Sequence, residues 1–272
     1  MNVQITHKEP KRILNPTGGF LQGYTHSLNP YAGCVYACSY CYVRRMPIAL
    51  FRKQEWGTWV DVKQGAADRL RAEMGAARRK GTVTIFMSSS TDPYQPVEVQ
   101  AGITRALLEV LVEEKPDFLF VQTRSPLVTR DIDLFLRLKD RIRISMTIET
   151  DLETIRKRFT PAAPPIAARL RALRRIIEHG LPAQAALAPV LPFSEEFPKT
   201  LADIVDRVCV DDYFTGDGSG GRRTEKLGIR QRYKEVGLEE WYGPDVHQKV
   251  VERLRAAFAD HQILLSQEGF LP

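Results

Sequence analysis

The chain has 272 residues, of which 43% are hydrophobic and 26% charged. That composition is ordinary for a globular protein and excludes a collagen-like, low-complexity or wholly disordered chain. The 39 Lys and Arg against 33 Asp and Glu leave a net charge of +6, which permits an anionic partner without demanding one.

No apolar run approaches the ~20 residues needed to cross a bilayer. The opening MNVQITHKEPKR lacks the apolar core of a secretory leader, so the expected location is the cytoplasm, with no membrane partner. Residues 1–19 are polar and Pro-containing and read as an irregular arm. A first strand is expected over 20–28, followed by a turn at Asn29, Pro30 and Gly33. Residues 66–80 read as a helix, with Leu70, Met74 and Ala77 on one face and Gly81 as a stop. The run TVTIFM at 82–87 is a buried strand, and SSSTDPYQP after it a polar loop. A helix over 101–114 carries Ile103, Leu107, Leu108, Val110 and Leu111 and is closed by Pro116. Then come a strand at 118–122, the loop TRSP, a helix at 130–138 and a strand at 141–148. A basic helix at 167–178 stops at Gly180; strands follow at 183–190 and 205–210. The loop GDGSGG at 216–221 lacks the Gly-Lys-Ser/Thr of a phosphate loop, so it carries no nucleotide role. An amphipathic helix over 244–258, with Val246, Val250, Leu254 and Phe258 on one face, closes the pattern.

Strand and helix therefore alternate, which predicts a parallel sheet with crossover helices, open or wrapped as a barrel. Working residues in such folds lie on loops after the carboxyl ends of strands, where SSSTD, TRS and ETD fall.

Three of the four cysteines, Cys34, Cys38 and Cys41, fall within eight residues as Cys-x3-Cys-x2-Cys, and Cys209 lies far downstream. In a reducing compartment, clustered thiols read as metal ligands or redox groups. Structural zinc commonly takes two separated pairs, and a second pair is missing; His26 could serve as a fourth ligand or simply hydrogen-bond at the surface. A [4Fe-4S] cube normally takes four thiolates, so three leave one iron open, as catalytic centres require.

The loop CVYACSYC, with an aromatic residue before its third cysteine, is similar to that of the radical S-adenosylmethionine superfamily. Its context, NPYAGCVYACSYCYVRRMP followed by SSSTDPYQPVE, resembles the spore photoproduct lyase-like branch over about 24–151, roughly half of the chain. The resemblance implies an α/β fold, a partial (β/α)6 TIM-type barrel of parallel strands with outer helices. It implies one domain over 1–272, with the arm at 1–19, the barrel core at 20–210 and a C-terminal loop and closing helix at 211–272. It also implies that Cys34, Cys38 and Cys41 hold a [4Fe-4S] cluster whose free iron chelates S-adenosylmethionine. One electron, from a donor of flavodoxin or ferredoxin type, would then yield a 5′-deoxyadenosyl radical that abstracts hydrogen from an unidentified substrate.

The resemblance proposes further contacts, each with a plainer alternative. Tyr40 would lie against the adenine, or merely pack in the loop. Ser88, Ser89, Ser90, Thr91 and Asp92 would bind the methionine amino group, or form a polar turn. Arg124 would face the methionine carboxylate, or sit exposed on the surface. Ser145, Thr147 and Glu149 share one strand face. Glu149 would accept from ribose hydroxyls, with Ser145 deeper and Thr147 packing. Spore photoproduct lyases return a hydrogen atom from a further cysteine, and TIFMSSSTDPY has none; Cys209 is a buried thiol or a distant hydrogen donor, and Tyr42 and Tyr94 could relay or pack. Arg156, Lys157, Arg158, Arg169, Arg171, Arg174 and Arg175 form a solvated face or a patch for a nucleic-acid substrate. The competing reading of the whole chain is a zinc-stabilised nucleic-acid-binding protein without catalytic activity.

Overall fold

The β-branched and aromatic runs build strands, and the amphipathic stretches between them cover one side of the resulting sheet. The computed structural model describes residues 3–216 and 218–272. The first two positions of the expected arm and one position of the 216–221 loop lie outside the described residues. The strands are β1 (Gln4–Lys8), β2 (Leu14–Pro16), β3 (His26–Leu28), β4 (Tyr31–Ala32), β5 (Trp59–Lys63), β6 (Thr84–Met87), β7 (Phe118–Thr123), β8 (Ile142–Thr147), β9 (Ala183–Leu187), β10 (Val208–Val210) and β11 (Ile263–Leu265).

The main sheet runs β11-β10-β9-β8-β7-β6-β3-β2. Every neighbour from β3 to β11 is parallel, and β2 is added antiparallel at the edge. The two ends do not pair among the described residues, so the fold is a curved, open barrel of the partial TIM type. Helices Ala66–Arg78, Ile103–Glu113 and Ile166–Glu178 pack outside it. Alternation along the strands sorts the two faces. Ile85, Met87, Leu119, Val121, Ile144 and Met146 join Leu70, Leu107 and Leu173 of the helices in one large core. The inward residues form a smaller cluster of Tyr24, Phe86, Phe120, Ala186, Cys209 and Phe270, with Phe86 stacked on Phe120 at 5.0 Å. This cluster is the floor of the barrel.

The arm is more regular than its polar sequence predicts. β1 pairs with β5 and β2 with β3, because each short strand finds an edge whose backbone groups it satisfies. The 20–28 strand is confined to its last three residues, behind a 3-10 turn at Gly19–Leu21. The barrel core also extends past residue 210, since β11 adds a strand and the turn Ser266–Phe270 contributes Phe270 to the floor. The expected 130–138 helix is a 3-10 turn, Pro126–Asp131, running into Ile132–Leu136. No described helix is long and apolar enough to cross a membrane.

Candidate functional site

A cavity of about 540 Å³ opens above that floor, where the carboxyl ends of β6, β7, β8 and β10 meet the cysteine loop. The loop is shaped by backbone constraints. Gly33 has φ +84, and a Cβ there would collide with the backbone and ring of Trp59. Arg44 donates through Nε to the Cys38 carbonyl at 3.0 Å and through Nη2 to the Ala37 carbonyl at 2.6 Å. The Ser39 amide donates to the Phe159 carbonyl at 2.9 Å. Gln95 accepts from the Val35 amide and donates to the Gly33 carbonyl, both at 3.1 Å.

Cys34, Cys38 and Cys41 all line this cavity. Burial pushes each thiol up, Cys41 to about 11, and proximity adds to it: Cys34 feels Cys38 and Cys41, and Cys41 feels Cys38. Binding iron as thiolates would therefore release protons. Among the described residues, no three His, Cys, Asp or Glu side chains gather closely enough to hold a single metal ion. A lone tetrahedral ion would need sulfurs about 3.8 Å apart, given metal–sulfur bonds of ~2.3 Å.

The strand ends supply the opposite wall. Ser88, directly after β6, holds φ +76, a costly conformation for a residue with a side chain, and its amide donates to the Leu28 carbonyl at 2.8 Å. Ser88 Oγ, Thr91 Oγ1 and Gln122 Oε1 are buried without a hydrogen-bond partner, and all three residues line the cavity. Unpaired buried oxygens cost about 1–3 kcal/mol each, so three on one wall point to a missing donor. Ser89 and Ser90 are differently engaged: Asn29 donates to Ser89 Oγ at 3.3 Å and accepts from Ser90 at 3.1 Å. Asp92 faces the cavity but accepts from the Thr123 hydroxyl at 2.7 Å and the Tyr94 and Arg124 amides at 2.9 Å, tying the β6 loop to β7.

Around β8 lies a buried charge network. Glu149 Oε1 accepts from Tyr40 Oη and Arg124 Nη1, each at 2.6 Å, and Oε2 accepts from Arg169 Nη1 at 2.6 Å. Burial opposes the ionised carboxyl, but Arg124, Arg169 and the Tyr40 hydroxyl overcome it and hold Glu149 below the usual carboxylate range. Tyr40 and Arg124 line the cavity, whereas Glu149 and Ser145 do not. Glu149 stands behind Tyr40 and Arg124, with both oxygens occupied. Ser145 belongs to the floor, where Gln184 donates to it at 3.2 Å and to the Gly269 carbonyl at 2.9 Å. Thr147, expected to pack, does line the cavity.

Other expectations also resolve. Cys209 is in the floor, its thiol directed to the Ser266 carbonyl at 3.7 Å, and does not line the cavity. His26 begins β3, at the end of the strand away from the loop that follows it. The 156–175 basic segment is not one solvated face: Arg156 caps the carbonyls of Thr160, Pro161 and Ala163, and Arg169 is wholly buried on Glu149. Asp211 and Asp212 were not singled out by the sequence, yet both line the cavity just past β10. Burial pushes Asp211 up to about 7, against the hydrogen bond from Thr215 and reinforced by neighbouring Asp212. A carboxylate directly after a strand end is the signal that could have found it.

Comparison with known proteins agrees with this geometry. A family model described as the radical SAM superfamily matches residues 28–204. An uncharacterised protein of Methanocaldococcus jannaschii is 33% identical over 190 residues, 70% of this chain and 69% of the relative. One from Acidianus two-tailed virus is 30% identical over 248 residues, 86% of this chain and 78% of the relative. Among solved structures, spore photoproduct lyase complexed with dinucleoside spore photoproduct superposes with a TM-score of 0.65 at 15% identity, covering 96% of this chain and 81% of that one. Streptococcus suis SuiB bound to S-adenosylmethionine gives 0.51 at 14% identity, covering 77% and 47%. These likenesses establish a shared fold, and the family match sets aside the non-catalytic zinc reading. The chain belongs to the radical SAM superfamily, whose enzymes work with S-adenosylmethionine and an iron–sulfur cluster.

Proposed function

We propose that Cys34, Cys38 and Cys41 hold a [4Fe-4S] cluster and that S-adenosylmethionine binds between it and the ends of β6 to β8. The observation that carries this reading is one cavity with three thiols on one wall and three unpaired buried oxygens, of Ser88, Thr91 and Gln122, on another. The bound pair would supply a 5′-deoxyadenosyl radical, by one-electron cleavage of the sulfonium, for hydrogen abstraction from a substrate.

The chain's own residues then have separable tasks. Ser88 and Thr91 accept hydrogen bonds from the methionine ammonium, satisfying oxygens the protein leaves open. Arg124 directs its guanidinium to the methionine carboxylate while Glu149 fixes its Nη1. Tyr40 presents its ring beside the adenine, its hydroxyl locked on Glu149. Ser89, Ser90 and Asp92 hold the β6 loop in shape, and Ser145 supports the floor. Phe20, Phe86 and Phe270 give an apolar lower wall that excludes water from a reacting carbon.

Spore photoproduct lyase has been solved with a dinucleoside, so pyrimidine-containing DNA is the first substrate class to try. Hydrogen return by a cysteine is not part of the proposal, because Cys209 is packed within the floor and does not line the cavity.

The test is anaerobic. Purified protein should carry iron and sulfide, and dithionite with S-adenosylmethionine should release 5′-deoxyadenosine. Cys34→Ala, Cys38→Ala and Cys41→Ala should each lose cluster and cleavage together. An intact cluster in all three variants would overturn the ligand assignment.

A further inference from the structure

Segment 42–55 follows Cys41 directly and wraps the outer side of the cysteine loop as two short turns, Tyr42–Arg45 and Pro47–Leu50. Its inner side chains Val43, Met46 and Ala49 pack with Trp56 and Trp59 in one apolar cluster against Cys34 and Cys41. Its outer side chains are turned to solvent: Ile48 is 41% exposed, Leu50 55% and Phe51 85%. These are three of the nine large hydrophobic side chains exposed among the described residues, gathered within four positions, so this is a patch and not scatter. Arg45 and Lys53 stand exposed on either side of it. The other two cations of the segment are used inward, Arg44 on the loop carbonyls and Arg52 on Asp61 at 2.8 Å. Glu55 is the segment's single acid.

An apolar centre flanked by cations has the anatomy of a protein interface. We propose that the face formed by Arg45, Ile48, Leu50, Phe51 and Lys53 docks an acidic one-electron donor of flavodoxin type. This rests on the cluster assignment above. Val43, Met46 and Ala49 pack in one apolar cluster with Cys34 and Cys41, so an iron–sulfur cluster held there would lie behind the segment that carries the patch. Electron tunnelling falls steeply with distance, so an efficient donor must sit close by. A flavin carrier presents the apolar edge of its ring within an acidic surround, complementary to an exposed aromatic between Arg45 and Lys53. A nucleic-acid backbone would call for a run of cations around the patch, and here two of the four are turned inward. In the docked pair the reduced flavin is oxidised by one electron and the cluster reduced by one; no bond forms or breaks.

The test uses cluster-loaded protein and two double variants, Leu50→Ser with Phe51→Ser and Arg45→Glu with Lys53→Glu. Oxidised flavodoxin is titrated calorimetrically, and S-adenosylmethionine cleavage is driven either by dithionite or by NADPH, flavodoxin reductase and flavodoxin. Each variant should bind flavodoxin ~10-fold more weakly and lose flavodoxin-driven cleavage in proportion at limiting donor, while dithionite-driven cleavage stays unchanged. Flavodoxin that fails to bind the parent protein, or binds both variants as tightly, overturns the docking face. So does a loss confined to ferredoxin, to duplex DNA or to self-association. If the parent protein shows no dithionite-driven cleavage, it is the cluster reading that fails, and the calorimetry still judges the face.

Discussion

The β8 and β10 ends of the cavity each bury a carboxylate, and they treat it in opposite ways. Glu149, 1% exposed, sits between Arg124 and Arg169 with the Tyr40 hydroxyl on one oxygen, and its charge is held. Asp211 is met by the Thr215 hydroxyl at 3.0 Å and the Asp212 amide at 3.1 Å, and burial pushes it up to about 7. One end of the cavity thus carries a fixed charge, the other a proton that exchanges near neutral pH. Two similar groups with separated environments are the usual basis for a division of labour in a site. Charge is held at the β8 end and titratable at the β10 end.

The sharpest way to break this contrast is Glu149→Gln. It leaves Arg124 and Arg169 buried without their anion and should cost about 3–5 kcal/mol in denaturant unfolding at pH 7. A variant as stable as the parent would show that the β8 end is not held by its ion pairs. Asp211→Asn should act in the other direction. The folded pKa lies above the unfolded one, so the protein is most stable, as far as this group goes, below about pH 4 and loses that stability as pH rises toward 7. The variant should therefore gain on the order of 4 kcal/mol at pH 8 and nothing at pH 4. Equal stability at both pH values would remove the contrast from the β10 side. The smallest effect concerns the unpaired oxygens at the β6 and β7 ends. Ser88→Ala removes one, so cofactor-free protein should gain about 1 kcal/mol, while S-adenosylmethionine binding, followed by calorimetry, weakens.

Much of this was legible in the sequence for local reasons. The thiol spacing, the strand runs of β6 to β8 and the polar tracts after them are short-range patterns, and two of those tracts, after β6 and β7, line one cavity. Contacts across long sequence intervals were not. Nothing near Tyr40 signals that its hydroxyl lies on Glu149, 109 residues away. Arg169 sits in a basic helical run that reads as a solvated face, yet the helix Ile166–Glu178 turns that one residue inward. β11 and the Ser266–Phe270 turn have too little periodicity to announce a barrel floor. Strand position singles out Glu149, but the occupation of both its oxygens by Tyr40, Arg124 and Arg169 is a tertiary fact that this position does not reveal.

The anchoring of the cysteine loop by Arg44, Ser39 and Gln95 has one more consequence. In a zinc finger the peptide collapses when the metal leaves, because inorganic bonds supply the folding energy. Here the mould is cast in polypeptide. Stripped of iron by a chelator, the protein should retain its far-ultraviolet dichroism and its unfolding cooperativity, and take up fresh iron and sulfide without passing through a denatured state.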